Sequence, residues 1–243
     1  MPNVSVVKGV VRYDNIFRSL ELIEKDVQDR ISNSTHIVIK PDLLHINGCF
    51  GLVSVDAVKA VLDFIEEFTN KKVTIAEGSF SDEDVFHRHD YHDLLNDYSV
   101  RFLNLNNDDS VEVKLGNKTA AVSETLLKSD FRISLALLKR DRKTVLIGSI
   151  PNIVIGSVSE HDKADFYKSR TFNKDTAELF KLLKPQLSVI DGFDTPERER
   201  KLKSSLAIAS SSAVAADAVA AGILKIKPGY LRYCGKAKIR VVK

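Results

Sequence analysis

The sequence predicts an α/β fold, a mainly parallel open sheet flanked by helices with a β-hairpin insertion, and three observations carry that prediction. Apolar runs short enough for strands alternate with stretches whose apolar residues recur every three or four positions. Three of those runs stop at a charged residue: Ile37-Val38-Ile39-Lys40-Pro41-Asp42, Val73-Thr74-Ile75-Ala76-Glu77-Gly78-Ser79 and Leu187-Ser188-Val189-Ile190-Asp191-Gly192. Two β-prone runs are separated by Gly116-Asn117, a tight-turn dipeptide. Strand, helix, strand order implies right-handed crossovers and parallel neighbours, so the charged strand ends point to one shared crevice.

Taken in order, Val4 to Val11 alternates as a strand, and Ile16, Leu20, Ile23, Val27 and Ile31 define one helix face. Thr35 to Lys40 reads as a buried strand. Ser54 is placed to cap a helix over Ala57 to Phe68, and Lys71 to Ala76 is the next strand. Asp90 to Tyr98 reads as helical and Arg101 to Leu105 as a strand that runs into the polar turn Asn104-Leu105-Asn106-Asn107-Asp108-Asp109. Val111 to Leu115 and Thr119 to Val122 form the hairpin. Ser123 to Lys128 predicts a short helix and Phe131 to Leu137 a strand. Val145 to Ile155 is mainly apolar, with a break expected at Pro151-Asn152, and Ser157 to Asn173 reads as polar and irregular. Lys174 to Leu183 is a helix, Leu187 to Ile190 and Leu206 to Ser210 are strands, and Ala213 to Leu224 is an Ala-rich helix. Neither a repeat nor an interdomain linker interrupts this order, which makes residues 1–243 one α/β domain with a basic C-terminal arm from about residue 225.

Composition sets the outer limits. At 243 residues and 44% hydrophobic the chain can bury a full-sized core. Its net charge of +3 comes from 36 basic and 33 acidic residues, too even to imply nucleic-acid or membrane binding by charge alone. Cys49 and Cys234 cannot supply the set of thiolates that an iron–sulfur cluster uses, so no such cluster is expected. Both read as free thiols of a reducing cytosol. The start Met1-Pro2-Asn3-Val4-Ser5 lacks the features of a signal peptide, and no apolar run is long enough to span a membrane, so a soluble cytoplasmic protein is expected.

The strand ends carry the candidate chemistry. Lys40 can bind a carboxylate or phosphate, or serve as an amine with a depressed pKa, or simply pair with Asp42 or Glu77. Asp42, Glu77 and Asp191 can act as general acids or bases, can hold a divalent cation through oxygen, or can cap loops. Lys139-Arg140-Asp141-Arg142-Lys143 sets four cations in five residues at a strand exit, enough to clamp an anion or to form a solvated loop. His87, His89 and His92 have a spacing open to zinc, in a segment whose acidic neighbours also fit a solvated loop. His161 stands alone as a ligand or proton carrier, or as a loop residue without a role. The stretch from Lys225 to Lys243 interleaves seven cations with Tyr230 and Tyr233 and has no acidic residue. That pattern suits RNA, through stacking and phosphate neutralisation. A basic arm can equally be solubilising or a subunit contact, which leaves a homo-oligomer open.

Ile39-Lys40-Pro41-Asp42, Glu77-Gly78-Ser79, Asp191-Gly192 and Ala215-Ala216-Asp217-Ala218-Val219, in that order and spacing, resemble the motifs of the family called domain of unknown function 362. The resemblance covers almost the whole chain and implies an α/β cleft in which Lys40, Glu77 and Asp191 are the catalytic candidates. Asp42, Ser79, Lys139, Arg140, His161 and Asp217 are the ligand-binding candidates that go with them. The chain departs from the family pattern at Leu138-Lys139-Arg140-Asp141-Arg142-Lys143-Thr144, where a histidine is missing. At Asp194-Thr195-Pro196-Glu197 it lacks the glycines that would cradle a phosphate. The cysteine motifs that give many relatives an electron-transfer role are absent. The resulting expectation is a small anionic ligand or a divalent metal in the strand-end cleft of a diverged enzyme. The alternative is a non-catalytic RNA- or protein-binding protein that uses its basic arm.

Overall fold

The computed structural model describes residues 1–43, 52–80, 85–87, 90–193, 195–197, 200–202 and 205–243. Its centre is an eight-stranded sheet built from β1 (Asn3–Lys8), β2 (Ile37–Pro41), β3 (Val73–Glu77), β4 (Val100–Asn104), β7 (Phe131–Leu137), β8 (Leu187–Gly192), β11 (Leu206–Ser210) and β12 (Arg240–Val242). The strands lie in the order β12-β1-β11-β8-β7-β2-β3-β4. Only β11 runs against its neighbours; β2 pairs in parallel with both β3 and β7, as do β3 with β4, β7 with β8 and β1 with β12. The expected hairpin is present outside this sheet as β5 (Ser110–Leu115) and β6 (Lys118–Ser123), and Gly116 turns it with φ of +64°. A second small hairpin joins β9 (Thr195–Glu197) to β10 (Arg200–Leu202).

Both faces of the sheet are covered, which explains why its strands read as continuous apolar runs. On one face lie α1 (Arg12–Glu21) and α3 (Val55–Glu66), packed on Ile37, Ile39, Val73, Ile75, Ile133 and Leu135. On the other lie α6 (Ser149–Ser157), α8 (Phe172–Leu183) and α9 (Ala213–Leu224), against Val38, Ala76, Ala136, Ile190 and Ile208. Ser54 caps α3 by accepting from the Asp56 amide, as its position predicts. Ser123 likewise caps the short α5 (Glu124–Lys128) by accepting from the Leu126 amide.

The departures from the sequence reading have local causes. The stripe from Ile16 to Ile31 is buried throughout, yet the chain leaves the helix at Ile23 and Val27 and re-enters it as α2 (Gln28–Asn33). Burial kept the period while the backbone turned. Asp90 to Tyr98 contains a 3-10 turn at Tyr91–Asp93 and the short α4 (Leu94–Asp97). Pro151 does not break α6, because it sits in the first turn, where an amide has no intrahelical acceptor anyway. The supposedly irregular stretch after Ser157 holds α7 (Glu160–Lys168), whose cap is Ser159. The basic arm is likewise no free tail: β12 pairs with β1, and Tyr230 is fully buried.

Connections from β2 run through α3 to β3 on one side, whereas β7 lies on its other side and leads through α6 and α8 to β8. The order of the sheet therefore reverses between β2 and β7. Open α/β sheets bind ligands outside the carboxyl ends of the strands at such a reversal.

Candidate functional site

Lys40 is the last-but-one residue of β2 and, like Val38, faces the α6 side of the sheet; it is fully buried. Its ammonium group sits 2.7 Å from Glu77 Oε1 and donates to Asn152 Oδ1 at 2.6 Å and to the Pro41 carbonyl at 3.0 Å. Those three acceptors match the three protons of an ammonium. Burial pushes the Lys40 pKa down, the Glu77 and Asp42 carboxylates work against that, and Lys139 adds to the lowering. Glu77 is fixed in turn by the amides of Leu43 and Gly78, each donating at 2.7 Å. Gly156 on α6 is what lets Lys40 fit, since a Cβ there would overlap Lys40 Cε and stand 2.7 Å from its Nζ.

Beside this pair lies a second one. Lys139, just beyond β7, is 3% exposed and holds Asp42, just beyond β2, at 3.0 Å and 3.1 Å from its two carboxylate oxygens. The pair bridges the two strands between which the sheet order reverses. One strand further, Asp191 accepts from the Phe193 amide at 2.9 Å, and Arg12 Nε approaches its Oδ2 at 3.0 Å as a charge contact with poor hydrogen-bond angles. Arg12 also reaches the Phe193 carbonyl at 3.2 Å and stacks over the Phe193 ring.

Lys163, on α7, is 1% exposed and donates to the carbonyls of Gly78 and Ser79 and to Asn106 Oδ1, at 2.6, 3.1 and 2.6 Å. Burial lowers its pKa to about 8, partly countered by Glu77. Asp217, on α9, is fully buried and caps the start of α6, accepting from the amides of Ser149 and Ile150 and from the Tyr230 hydroxyl, at 2.6, 3.0 and 2.9 Å. Its carboxyl is pushed up to about 6 by burial, against the pull of those three donors.

The fold thus brings Lys40, Asp42, Glu77 and Lys139 into one buried cluster, with Asp191 on the adjoining strand end. Ser79 enters through its carbonyl, which Lys163 and Asn106 hold. Three expected members stand apart: Asp217, which holds the start of α6 and Tyr230 and none of the strand-end lysines, Arg140 and His161. Arg140 turns away to donate to the Leu224 carbonyl at the end of α9, at 2.8 Å, because alternate positions after β7 face opposite sides. His161 is exposed on α7, two residues from the inward-facing Lys163. In the histidine segment, the rings of His87 and His92 lie 5.7 Å apart between centres and tilted by 56°, while His89 lies outside the described residues. Among the described residues no three or more His, Cys, Asp or Glu side chains group so as to hold a metal ion. Cys49 also lies outside them, and Cys234 is a free thiol whose pKa burial raises to about 12.

Arg12, Asn106, Asn152 and Lys163 were not singled out from the sequence. Asn152 and Gly156 had a signal, since a spacing of four on one helix places both against a strand, but the expected break at Pro151 hid it. Lys163 had one too: with Ser159 read as a cap, it shares a helix face with Phe166. Arg12 pairs with a residue far along the chain, which no local pattern reveals.

The family model described as Domain of unknown function (DUF362) matches residues 37–222, most of the chain. The chain belongs to the DUF362 family. Among solved structures it is similar to the lactate racemase apoprotein from Thermoanaerobacterium thermosaccharolyticum, with a TM-score of 0.64 at 15% identity over 90% of this chain. It is also similar to a Thermotoga maritima protein, with a TM-score of 0.55 at 14% identity over 94% of this chain. At such identity the likeness shows the fold, and the DUF362 chain spans 56% and 59% of the lengths of these two neighbours. Among curated proteins none matches. Among the described residues no helix is long and apolar enough to cross a membrane.

Proposed function

We propose that this DUF362 protein is a diverged, enzyme-like α/β protein that binds a small anion at the carboxyl ends of β2, β3, β7 and β8. The observation that carries the reading is the pair of buried ion pairs, Lys40–Glu77 and Lys139–Asp42, side by side where the sheet order reverses. A buried ion pair is a weak source of stability, because the desolvation of both partners offsets most of their attraction. Two such pairs at the position where open α/β sheets bind ligands are better explained by chemistry than by folding.

Because each lysine already rests on a carboxylate, an incoming anion exchanges with that carboxylate. Lys139 is the member suited to this: it lies beyond the end of β7, whereas Lys40 lies within β2 with its three protons held by Glu77, Asn152 and Pro41. On release, Asp42 becomes a base beside the bound anion, with Glu77 and Asp191 as further proton carriers at the neighbouring strand ends. The similarity in fold to a lactate racemase makes a 2-hydroxy carboxylate the first anion to try.

The test is a thermal-shift and calorimetric screen of the protein with D- and L-lactate, inorganic phosphate and Mg²⁺. At about a hundredfold excess over Kd, a bound anion stabilises the fold by about 2.7 kcal/mol. Lys139→Gln should abolish that shift while the protein still melts cooperatively. A shift that survives Lys139→Gln, or the lack of any shift with every probe, would remove the strand-end reading.

A further inference from the structure

The basic C-terminal segment shares no residue with the strand-end cluster. The 19 residues from Lys225 to Lys243 hold seven basic and no acidic residues, so the remaining 224 carry 29 basic against 33 acidic, a net charge of −4. The protein is an acidic body with a basic segment, and the even total hides that division. The segment is also ordered. Tyr230 anchors it on Asp217, Ile226, Ala237 and Ile239 pack beside α9, and β12 adds to the sheet edge. All seven cations remain exposed.

Where this segment passes the end of α8 and the start of α9 there is a cleft of about 350 Å³. Lys181, Lys184 and Lys236 line it, with Phe180 and Tyr233 as its aromatic members and none of its described lining residues acidic. Lys181 pairs with Glu178 at 3.0 Å, but both side chains are largely exposed, so the pair exchanges readily with another anion. Tyr233 is 55% exposed, although the neighbouring Tyr230 is fully buried. An exposed phenol ring beside three lysines is a stacking surface beside a phosphate site.

We infer that this cleft and the basic segment bind single-stranded nucleic acid, with one base on Tyr233 and its phosphates among Lys181, Lys184 and Lys236. An acidic protein would also answer the charge, but it gives no use to a ring left open at the rim of a nucleotide-sized cleft. A segment already docked on the fold loses little freedom on binding, which favours a defined strand path over a diffuse cloud of contacts.

Fluorescence anisotropy with labelled dodecamers of uridylate and thymidylate, between about 50 and 200 mM salt, tests the inference. Three phosphate contacts predict a slope of log K against log salt near about −2, since each neutralised phosphate of a single strand contributes about −0.7. Lys184→Ala with Lys236→Ala should flatten that slope by about 1.4. Tyr233→Ser should weaken binding about tenfold with the slope unchanged, and Tyr233→Phe should restore it. All three side chains are exposed, so the variants should melt like the parent. Undetectable binding at the lowest salt, binding indifferent to Tyr233→Ser, or equal competition by oligoglutamate of matched charge would each overturn the inference, the last in favour of an acidic protein partner.

Discussion

Lys40 and Lys139 are 0% and 3% exposed and each rests on a carboxylate, whereas the seven cations from Lys225 to Lys243 are all exposed in a segment without an acid. The same residue types therefore cost the fold very different amounts. At the strand ends each charge has been taken out of water, and the fold tolerates it only through a matched partner and matched hydrogen bonds. In the basic segment each charge keeps its hydration, and its only cost is weak repulsion from its neighbours. Charge at a strand end needs a built environment, while charge along a docked surface needs only water.

That comparison breaks most sharply at Lys40. Lys40→Met leaves Glu77 buried without its cation, for which about 3–5 kcal/mol of stability should be lost in urea unfolding. Adding Glu77→Gln removes the stranded charge but keeps an acceptor oxygen for only one of the two amides, of Leu43 and Gly78, that bond the two carboxylate oxygens, so the double variant should recover part of the loss. A double variant as unstable as Lys40→Met alone would mean that lost packing, and not an uncompensated charge, sets the cost.

The strand ends were legible because β2, β3 and β8 are mainly apolar runs, interrupted only by hydroxyls, that stop at the charged Lys40, Glu77 and Asp191, as expected of strands covered on both faces. Phe131–Leu137, Leu206–Ser210 and Ala213–Leu224 are likewise elements whose expected and observed bounds agree. What the sequence hid was partnership. Nothing local tells that Lys40 meets Asn152 and Glu77, or that Asp191 meets Arg12, because each contact joins elements from separate crossovers. Nor can spacing distinguish Tyr230 from Tyr233. One bonds Asp217 of α9 and is fully buried, and the other, three residues on, is 55% exposed.

Asp217 sharpens the comparison from between its two poles. It is fully buried like Glu77, yet amide and hydroxyl donors stabilise it and no cation pairs with it among the described residues. Burial raises its pKa from 3.8 to about 6, against the pull of its hydrogen-bond donors. A native pKa above the unfolded one means that the folded protein binds the extra proton between about pH 4 and pH 6. This contribution to stability is therefore full below about pH 4 and is lost as pH rises through about 6. The loss is about 3 kcal/mol, because each tenfold change in proton affinity is worth about 1.4 kcal/mol. Urea unfolding across that range should show the decline in the parent, and Asp217→Asn, which cannot ionise, should flatten it. An unchanged slope in Asp217→Asn would assign the pH dependence to other carboxyls.

The smallest effects belong to the exposed pole. Lys227→Ala and Lys238→Ala each remove one solvated charge from a segment that already repels itself, so unfolding free energies should stay within about 0.5 kcal/mol of the parent. Their sign is informative: relief of like-charge repulsion makes each variant equal to or slightly more stable than the parent at low salt, with the difference vanishing as added salt shortens the screening length. A loss well beyond that range at either position would mean that the lysine is making a structural contact, and would move the segment towards the strand-end pole. Small stabilisations combined with weakened oligonucleotide binding would instead mark a surface whose charge is kept at some cost to the fold, as expected of residues retained to meet a polyanion.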